Sequence, residues 1–316
     1  MTRMTRETVG LLAMAMGTPA GLEDVEAYYT HIRGGRSPAP ALVEELRARY
    51  AAIGGRSPLL EISRAQAEGV AARLARLTGT PVRAYLGMKH SAPFVADAVA
   101  AMRADGVRRA LGLALAPHPS ALVSDEYRAH ALRAIAAGGG EIAFEMIAPW
   151  HLHPGFLACL AGRARAALAA FPAAERERVH LLFTAHSLPL RVVSAGDPYP
   201  GAVRATAGAV ALRVGHPRWS VCWQSAGRTP EPWLGPDVAA VLPELAATGS
   251  AGVVVCPIGF VADHLEVLYD IDVQARAIAD GLGLRLERAR SMNDDPVFIA
   301  ALADVAEAAL ARPVPA

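Results

Sequence analysis

Two segments of the sequence place acid, base and metal-ligand side chains directly after apolar runs. The run "VHLLFTA" leads into His186, and the run "AGVVVCPIGF" is followed by the carboxylates Asp263, Glu266, Asp270 and Asp272. Neutral imidazole binds metals and accepts protons near pH 7, and carboxylates bind divalent ions. This combination predicts a mixed nitrogen and oxygen site for Fe²⁺, Co²⁺ or Zn²⁺, and the spacing does not choose among them.

The four carboxylates separate by role if a helix begins near Asp263. That residue is then the predicted N-cap, and Glu266 and Asp270 lie four residues apart on one helix face. Stacked carboxylates repel, and a cation on their face relieves the repulsion. The alternative is a solvated helix face, as most charge runs are. We interpret His264 and Asp272, which lie off this face, as structural.

Two further strand ends carry unusual side chains. The segment "MAMGTP" places Met16 and Gly17 at a tight turn, and "YLGMKH" places Lys89 and His90 just past a strand. Lys89 is the only lysine among 31 basic residues. It therefore suggests a position that a bidentate guanidinium would not serve. The alternative is that a single lysine is retained by chance.

Short apolar runs alternate along the chain with segments of helical period. Continuous apolar strands between amphipathic helices are typical of parallel sheets covered on both faces, so the pattern predicts a doubly wound α/β fold. Its eight strands form one sheet or two sheets of four, with a seam in the loop 146–156. The predicted helices lie near 22–32, 39–52, 63–77, 94–105, 124–137, 155–171, 201–213, 237–247, 264–280 and 295–311.

Composition narrows the class of protein. A chain of 316 residues exceeds the usual domain size of about 100 to 200 residues, which favours two domains. The 53% hydrophobic content indicates a globular protein, and the net charge of +1 does not favour nucleic-acid binding. The N-terminus lacks a signal-peptide pattern, and no apolar stretch reaches the roughly 18 residues that span a bilayer. We therefore expect a soluble, cytoplasmic protein.

Several common chemistries lack their sequence markers. No G-x-G-x-x-G follows a strand, and the phosphate-binding motif of P-loop proteins and G-x-S-x-G do not occur. The three cysteines, Cys159, Cys222 and Cys256, are far apart, which argues against a disulfide framework or a C-x-x-C metal site. We interpret them as buried structural thiols.

Taken together, these segments resemble the ferrochelatase family, and within it the water-soluble bacterial coproporphyrin ferrochelatases. The resemblance implies two similar Rossmann-like domains, each with a four-stranded parallel sheet flanked by helices, and a cleft between them. It assigns residues 1–148 to the porphyrin-holding domain and 149–316 to the metal-site domain, with the helix near 295–311 a candidate to pack back on the first. The resemblance extends from near residue 9 to about 300, and eight motifs within it occur in family order: "YYTHIRGGRSP", "RYAAIGGRSPL", "YLGMKH", "APHPS", "AHSLP", "GDPYP", "WQSAGRTPEPWLGPDV" and "PIGFVADHLEVLYDID".

The resemblance also implies the reaction and the residues that perform it. The reaction is insertion of Fe²⁺ into coproporphyrin III, with release of two protons, in haem biosynthesis. By position, His186 and Glu266 resemble the iron ligands and proton-handling pair, and Asp270 the next step of an acidic iron track. The positions that resemble porphyrin-holding residues are Met16, Arg33, Arg49, Tyr50, Ser57, Lys89, His90 and Tyr127.

Two positions depart from the family pattern. Met16 stands where many coproporphyrin-type relatives have Tyr, as in relatives that use protoporphyrin, and Gln274 stands where some have Glu. Protoporphyrin IX ferrochelatase is therefore the first alternative, and a non-catalytic tetrapyrrole or metal carrier on the same fold is the second. The retained His186 and Glu266 argue against the carrier, because a carrier needs no proton acceptor.

The resemblance also sets expectations for cofactors and partners. Three scattered cysteines do not supply the four that hold a [2Fe-2S] cluster in some relatives, so we expect no cluster and no tightly bound cofactor. The expected partners are coproporphyrin III and Fe²⁺ as substrates, with transient contacts to neighbouring haem-pathway enzymes. We expect a monomer that binds neither nucleic acid nor membrane.

Overall fold

Two parallel sheets of four strands each form the framework in the computed structural model, which describes residues 7–312. The outermost residues of the two predicted domains, 1–6 and 313–316, lie outside the described part. Within it the strands are β1 (Val9–Ala15), β2 (Val82–Met88), β3 (Arg109–Ala114), β4 (Ala143–Met146), β5 (Val179–His186), β6 (Trp219–Gln224), β7 (Gly252–Cys256) and β8 (Leu286–Arg288).

Helices connect consecutive strands and cover the faces of both sheets. They are α1 (Val25–Ile32), α2 (Pro40–Ala52), α3 (Leu59–Thr78), α4 (Val95–Ala104), α5 (Ser124–Ala137), α6 (Pro154–Ala169), α7 (Leu190–Ser194), α8 (Tyr199–Val214), α9 (Val238–Ala247), α10 (Leu265–Leu268), α11 (Arg276–Gly281) and α12 (Pro296–Leu310). Proline occupies the first position of α2, α6 and α12, where its missing N–H has no intrahelical partner.

The two sheets share one topology. Their orders are β2-β1-β3-β4 and β6-β5-β7-β8, and every strand pair is parallel. Strands β1 and β7, which are central in their sheets, are apolar and buried throughout, as expected for strands covered on both faces. This confirms the predicted fold of two similar four-stranded Rossmann-like units. The eight strands form two sheets, not one.

Helix α12 covers elements from both parts of the chain. It packs against α3 and α6, and Phe298 contacts the rings of Trp150 and Phe156. The approach to α3 is close, because a Cβ built on Gly69 would lie 3.1 Å from Ile299. The last helix thus joins the two sheet units into one apolar core.

Polar contacts also tie the two sheet units together. The Asp197 carboxylate, beyond β5, accepts hydrogen bonds from the Ser120 hydroxyl at 3.0 Å and the Ala121 N–H at 2.8 Å, both beyond β3. The buried Gln66 amide in α3 donates to the carbonyls of Val261 (3.2 Å) and Asn293 (2.8 Å). These contacts fix the position of the strand ends of one sheet unit relative to those of the other.

The segment after β7 is not the single regular helix predicted near 264–280. A π-helical stretch, Asp270–Ala275, separates α10 from α11. Within it the Gln274 N–H donates to the Tyr269 carbonyl, five residues back, at 2.9 Å.

The spacing of buried residues gives a physical reason for these wider turns. Val267, Ile271, Ala275 and Ala279 are all buried and recur every four residues. In an α-helix each four-residue step drifts by about 40° around the axis, whereas wider turns keep such positions facing the core. The prediction of a regular helix was therefore wrong for this stretch.

None of the helices between residues 7 and 312 is both long and apolar enough to cross a membrane.

Candidate active site

His186 ends the central strand of the second sheet, with β6 and β7 on either side of it. Ligands bind beyond the carboxyl ends of strands in such sheets. The His186 Nδ1 lies 2.5 Å from the Ser187 carbonyl oxygen. A carbonyl oxygen only accepts, so Nδ1 carries a proton there. This contact fixes the ring and leaves Nε2 for chemistry.

Glu266 faces that nitrogen from the first turn of α10. Its Oε1 lies 3.4 Å from His186 Nε2, and the two side chains are 34% and 33% exposed. The backbone of Glu266 is held on both sides, because its N–H donates to His264 Nδ1 (3.0 Å) and its carbonyl accepts from the Gln224 amide (2.6 Å). The pair is therefore positioned by residues of two strand ends and remains open to a ligand.

Opposite charges dominate the electrostatics of this pair. Burial lowers the pKa of His186, but the Glu266 carboxylate overcomes this effect and raises it to about 9. Burial raises the pKa of Glu266, but His186, His264 and Arg49 together lower it below its ordinary value. At neutral pH the pair is thus an imidazolium and a carboxylate.

Asp270, the first residue of the π-helical stretch, lies beside this pair. Burial raises its pKa to about 6, with Glu266 adding to the rise and a hydrogen bond from Ser225 opposing it. The Ser225 hydroxyl donates to Asp270 Oδ2 at 2.5 Å. The structure thus brings His186, Glu266 and Asp270 together, as the sequence predicts. The two carboxylates differ in pKa because only Glu266 faces the imidazole directly.

The predicted N-cap, Asp263, does not cap the helix. The cap is His264, whose backbone is extended at φ −156° and whose side chain accepts from Glu266 N–H. Asp263 instead accepts from Arg288 (3.2 Å), Ser291 (2.7 Å) and Asn293 (2.9 Å). A guanidinium is a stronger partner for a carboxylate than a backbone amide, so these distant residues take Asp263 away from the helix start.

Asp272 and Gln274 point away from the pair. Arg288 donates to both oxygens of Asp272, at 2.7 and 2.8 Å, so Asp272 is structural as predicted. Gln274 is exposed. Of the positions predicted to form the acidic track, Asp270 is therefore the one beside the pair, and Gln274 is exposed.

Tyr28 and Tyr50 form a wall of the site around the turn that follows β1, where Met16 also lies. Met16 follows β1 and is 40% exposed, next to Gly17 at φ +98°. The Tyr28 hydroxyl donates to the Gly17 carbonyl at 2.8 Å, and the Tyr50 hydroxyl lies 3.2 Å from Thr18 Oγ1. Burial raises the pKa of both tyrosines, and the charge of Glu266 raises both pKa values further. Because this effect needs a nearby charge, the two tyrosines lie near the His186 and Glu266 pair.

Lys89 and His90 are joined to the end of β1 through their backbones. Their N–H groups donate to the carbonyls of Ala15 (2.9 Å) and Met16 (3.0 Å). The Lys89 ammonium pairs with Glu126. The His90 Nδ1 lies 3.0 Å from the Nδ1 of His31. Burial and the neighbouring Lys89 lower the pKa of His90 to about 3, so this ring is neutral at pH 7.

Three other predicted porphyrin-holding residues have no direct contact with the His186 and Glu266 pair. Ser57 is buried, and its hydroxyl accepts from Leu59 N–H (3.2 Å) at the start of α3. Tyr127 is buried among apolar side chains, and burial raises its pKa. Arg33 lies over the Tyr29 ring, with its Nε buried and unpartnered.

Arg49 reaches across to the second sheet unit. Its guanidinium lies 5.4 Å from the centre of the Tyr269 ring. Its charge lowers the pKa of both Glu266 and Asp270. This helix α2 residue therefore borders the carboxylates Glu266 and Asp270.

Sequence reasoning missed Tyr28, Gln224 and Ser225. Gln224 ends β6, the neighbour of β5, and Ser225 follows it with φ +59°, a left-handed value unusual for serine. Both residues follow a strand of the same sheet as His186, so the rule that singled out His186 also applies to them.

A cavity of about 980 Å³ opens elsewhere, between the strand end of β4, the start of α5 and α7. It is lined by residues of 119–128, 144–149 and 191–198, and none of the predicted site residues borders it. In the described part of the chain no three His, Cys, Asp or Glu side chains converge to enclose a metal ion. The His186 and Glu266 pair is thus an open arrangement.

The chain matches known proteins along almost its whole length. The family model described as Ferrochelatase matches residues 8–310. Coproporphyrin III ferrochelatase of Geobacillus kaustophilus (strain HTA426) is 46% identical over 304 residues, covering 96% of each chain. Coproporphyrin III ferrochelatase of Bacillus subtilis (strain 168) is 41% identical over 311 residues, covering 98% of this chain and all of that one.

Other relatives and a solved structure agree with this result. Ferrochelatase of Deinococcus radiodurans is 42% identical over 310 residues, covering 97% of this chain and 98% of that one. SirB from Bacillus subtilis, solved with Fe³⁺, aligns over 96% of both chains with a TM-score of 0.60 and 11% identity, which shows the shared fold. The chain therefore belongs to the ferrochelatase family and is a metal chelatase of the lyase class.

Proposed function

We propose that this protein inserts Fe²⁺ into coproporphyrin III to form Fe-coproporphyrin III (coproheme) in haem biosynthesis. The observation that carries the proposal is the open pair of His186 and Glu266, 3.4 Å apart at the carboxyl edge of the second sheet. The names of the relatives from Geobacillus and Bacillus support coproporphyrin III as the porphyrin.

The reaction exchanges two pyrrole protons for one divalent ion, so the site must bind a cation and accept protons. Glu266 offers the incoming Fe²⁺ a carboxylate held in its ionised form. When iron binds that carboxylate, its negative charge no longer stabilises the His186 imidazolium, and the pKa of His186 falls. His186 then releases its proton to solvent, and its Nε2 accepts the two pyrrole protons in turn, passing the first to solvent before it accepts the second. A rigid cleft that holds the macrocycle bent would favour the same step.

We further propose roles for the two sheet units. Residues 1–148 hold the porphyrin and 149–316 provide the metal-site side. The remaining porphyrin contacts come from Met16, Arg33, Arg49, Tyr50, Ser57, Lys89, His90 and Tyr127. Support comes from Tyr50 and Arg49, whose electrostatic interactions with Glu266 place them near the carboxylates, and from Met16, which is exposed at the end of β1.

Porphyrin choice is the direct test of the proposed function. Steady-state iron insertion would be measured with coproporphyrin III, which has four carboxylates, and with protoporphyrin IX, which has two. We expect a clear preference for coproporphyrin III, because the Arg-rich first unit can bind its additional carboxylates. Preference for protoporphyrin IX, which the exposed thioether of Met16 favours, would contradict the proposal.

Asp270→Asn tests the iron track. We expect a raised apparent KM for iron, with a smaller effect on kcat, because Asp270 guides the ion towards Glu266 without accepting the pyrrole proton. In the unaltered protein, KM for iron should also rise as the pH falls through about 6, where Asp270 takes up a proton. This pH dependence should be lost in the variant.

The control for this experiment is Asp304→Asn, which alters an exposed residue of α12. It should leave KM for iron unchanged. A fall in kcat at constant KM in Asp270→Asn would contradict the track.

We propose that no tightly bound cofactor and no iron-sulfur cluster takes part. The three cysteines support this, because each is buried and free, in α6, β6 and β7. We also propose a cytoplasmic monomer that makes transient contacts with neighbouring haem-pathway enzymes. The near-zero net charge is consistent with a protein that binds small substrates.

A further inference from the structure

Two arginines from opposite sides of the site share one carboxylate oxygen. Glu45 and Arg49 lie four residues apart on α2, and Arg49 Nη2 donates to Glu45 Oε1 at 2.6 Å. The same Oε1 also accepts from Nη2 of Arg228, in the segment between β6 and α9. This contact bridges the two sheet units.

The bridge lies next to the metal-site carboxylates. Arg49 stacks on Tyr269, and its charge acts on both Glu266 and Asp270. Arg228 is three residues beyond Ser225, which binds Asp270. A turn in which the Thr229 N–H donates to the Gly227 carbonyl at 2.9 Å places Arg228 at its tip. The three charged groups therefore stand at the entrance of the candidate site.

Charge is not balanced in this cluster. Two guanidinium groups face one carboxylate, which leaves one positive charge in excess. The side chains of Arg228 and Glu45 are 57% and 40% exposed, so both can exchange partners without disturbing the core. A guanidinium has five N–H donors, and the Glu45 contact uses one of those of Arg228. The cluster can accept a further carboxylate.

We propose that Glu45 occupies, in the porphyrin-free protein, the place of a substrate carboxylate, and that a porphyrin carboxylate replaces it on Arg228. Arg228 is then a specificity-determining residue on the metal-site side of the cleft. It binds a carboxylate that a tetracarboxylate porphyrin has and a dicarboxylate porphyrin lacks. This inference rests on the proposed function, since it takes coproporphyrin III as the substrate.

The alternative is an ordinary exposed ion pair that contributes little. The two roles differ in the sign of their effects. If the ion pair of Glu45 and Arg228 only holds the two sheet units together, removal of either residue breaks it. Both variants then change porphyrin binding in the same direction. If Glu45 competes with the substrate, its removal strengthens binding and removal of Arg228 weakens it.

The experiment measures the Kd of coproporphyrin III and protoporphyrin IX by fluorescence titration without iron. For Arg228→Gln we expect roughly three- to tenfold weaker binding of coproporphyrin III. For Glu45→Gln we expect binding tightened by about the same factor. The loss in Arg228→Gln should be smaller for protoporphyrin IX, and the effects on coproporphyrin III should shrink at high salt.

Arg108→Gln is the matched control. Arg108 forms an ion pair of similar exposure with Glu141, at the start of β3 and away from the strand ends of the site. This variant should bind both porphyrins as the unaltered protein does. Iron insertion by the unaltered protein, measured alongside, tests the proposed function separately.

Three results would overturn the inference. These are unchanged binding in both site variants, a shift of both in the same direction, or an equal loss for the two porphyrins in Arg228→Gln. Each of them leaves the proposed function intact if the unaltered protein inserts iron into coproporphyrin III.

Discussion

Replacement of His186 by Ala is expected to abolish iron insertion while porphyrin binding stays largely intact. In the proposed mechanism the variant loses the nitrogen that accepts the pyrrole protons, because Nδ1 is bound to the Ser187 carbonyl and only Nε2 is available. Loss of a general base alone costs roughly 10²–10⁴-fold in rate. The ring stands at the open end of β5, so its removal leaves the sheet in place. Insertion rates with coproporphyrin III and porphyrin fluorescence titrations measure the two properties separately.

His216→Ala provides the control for this prediction. His216 Nε2 contacts the carbonyl of Val179, the first residue of β5, at 2.7 Å, at the end of the strand opposite to His186. The His216→Ala variant should insert iron at nearly the rate of the unaltered protein. Turnover of His186→Ala equal to that of the unaltered protein would remove His186 from the mechanism.

Glu266→Gln is expected to cause the second large loss. An amide binds Fe²⁺ more weakly than a carboxylate and no longer stabilises the imidazolium, so insertion should fall by roughly 10²-fold or more. The pKa of His186 should drop well below 9, because burial then acts against the charged form without the Glu266 carboxylate to oppose it. Titration of the His186 ring by NMR would show this drop. A pKa that stays near 9 would contradict the assigned pairing.

The same variant should change how stability depends on pH. The folded-state pKa of His186 lies above its ordinary value of 6.5, so the fold binds the proton more tightly than the unfolded chain. The stabilisation from the ion pair is fully present below pH 6.5 and is lost as the pH rises through about 9. Glu266→Gln should lack this loss, which thermal unfolding between pH 6 and pH 10 can test.

The sequence predicts strand ends well because the apolar runs stop abruptly. His186, Met16 and Lys89 all follow such runs, and the structure places them at the carboxyl edges of the sheets. The resemblance added which of these ends face each other. Pattern reasoning alone left both one sheet and two open, since strand order depends on contacts between distant segments.

The carboxylate segment was harder to predict because distant partners decide its geometry. Asp263 has the residue type of an N-cap, but Arg288 and Asn293, 25 and 30 residues away, bind it instead. The π-helical stretch follows from the face that must be buried against the second sheet. Neither effect is visible in local propensity, which describes a residue by its chain neighbours.

The left-handed backbone of Ser225 was also beyond sequence reasoning. Only glycine adopts such values readily, so a serine at φ +59° is held there by its surroundings. The hydrogen bond to Asp270 belongs to the same segment after β6. Its geometry is thus a property of the folded site.

The position of α12 has a consequence for how the chain folds during synthesis. The helix that covers α3 is encoded far downstream of it, and at roughly 5–20 residues per second the ribosome makes it on the order of ten seconds or more later. Until then the surface of α3 around Gly69, which lies against Ile299 of α12 in the folded protein, has no permanent cover. The packing of the N-terminal unit is therefore completed only after α12 has been made.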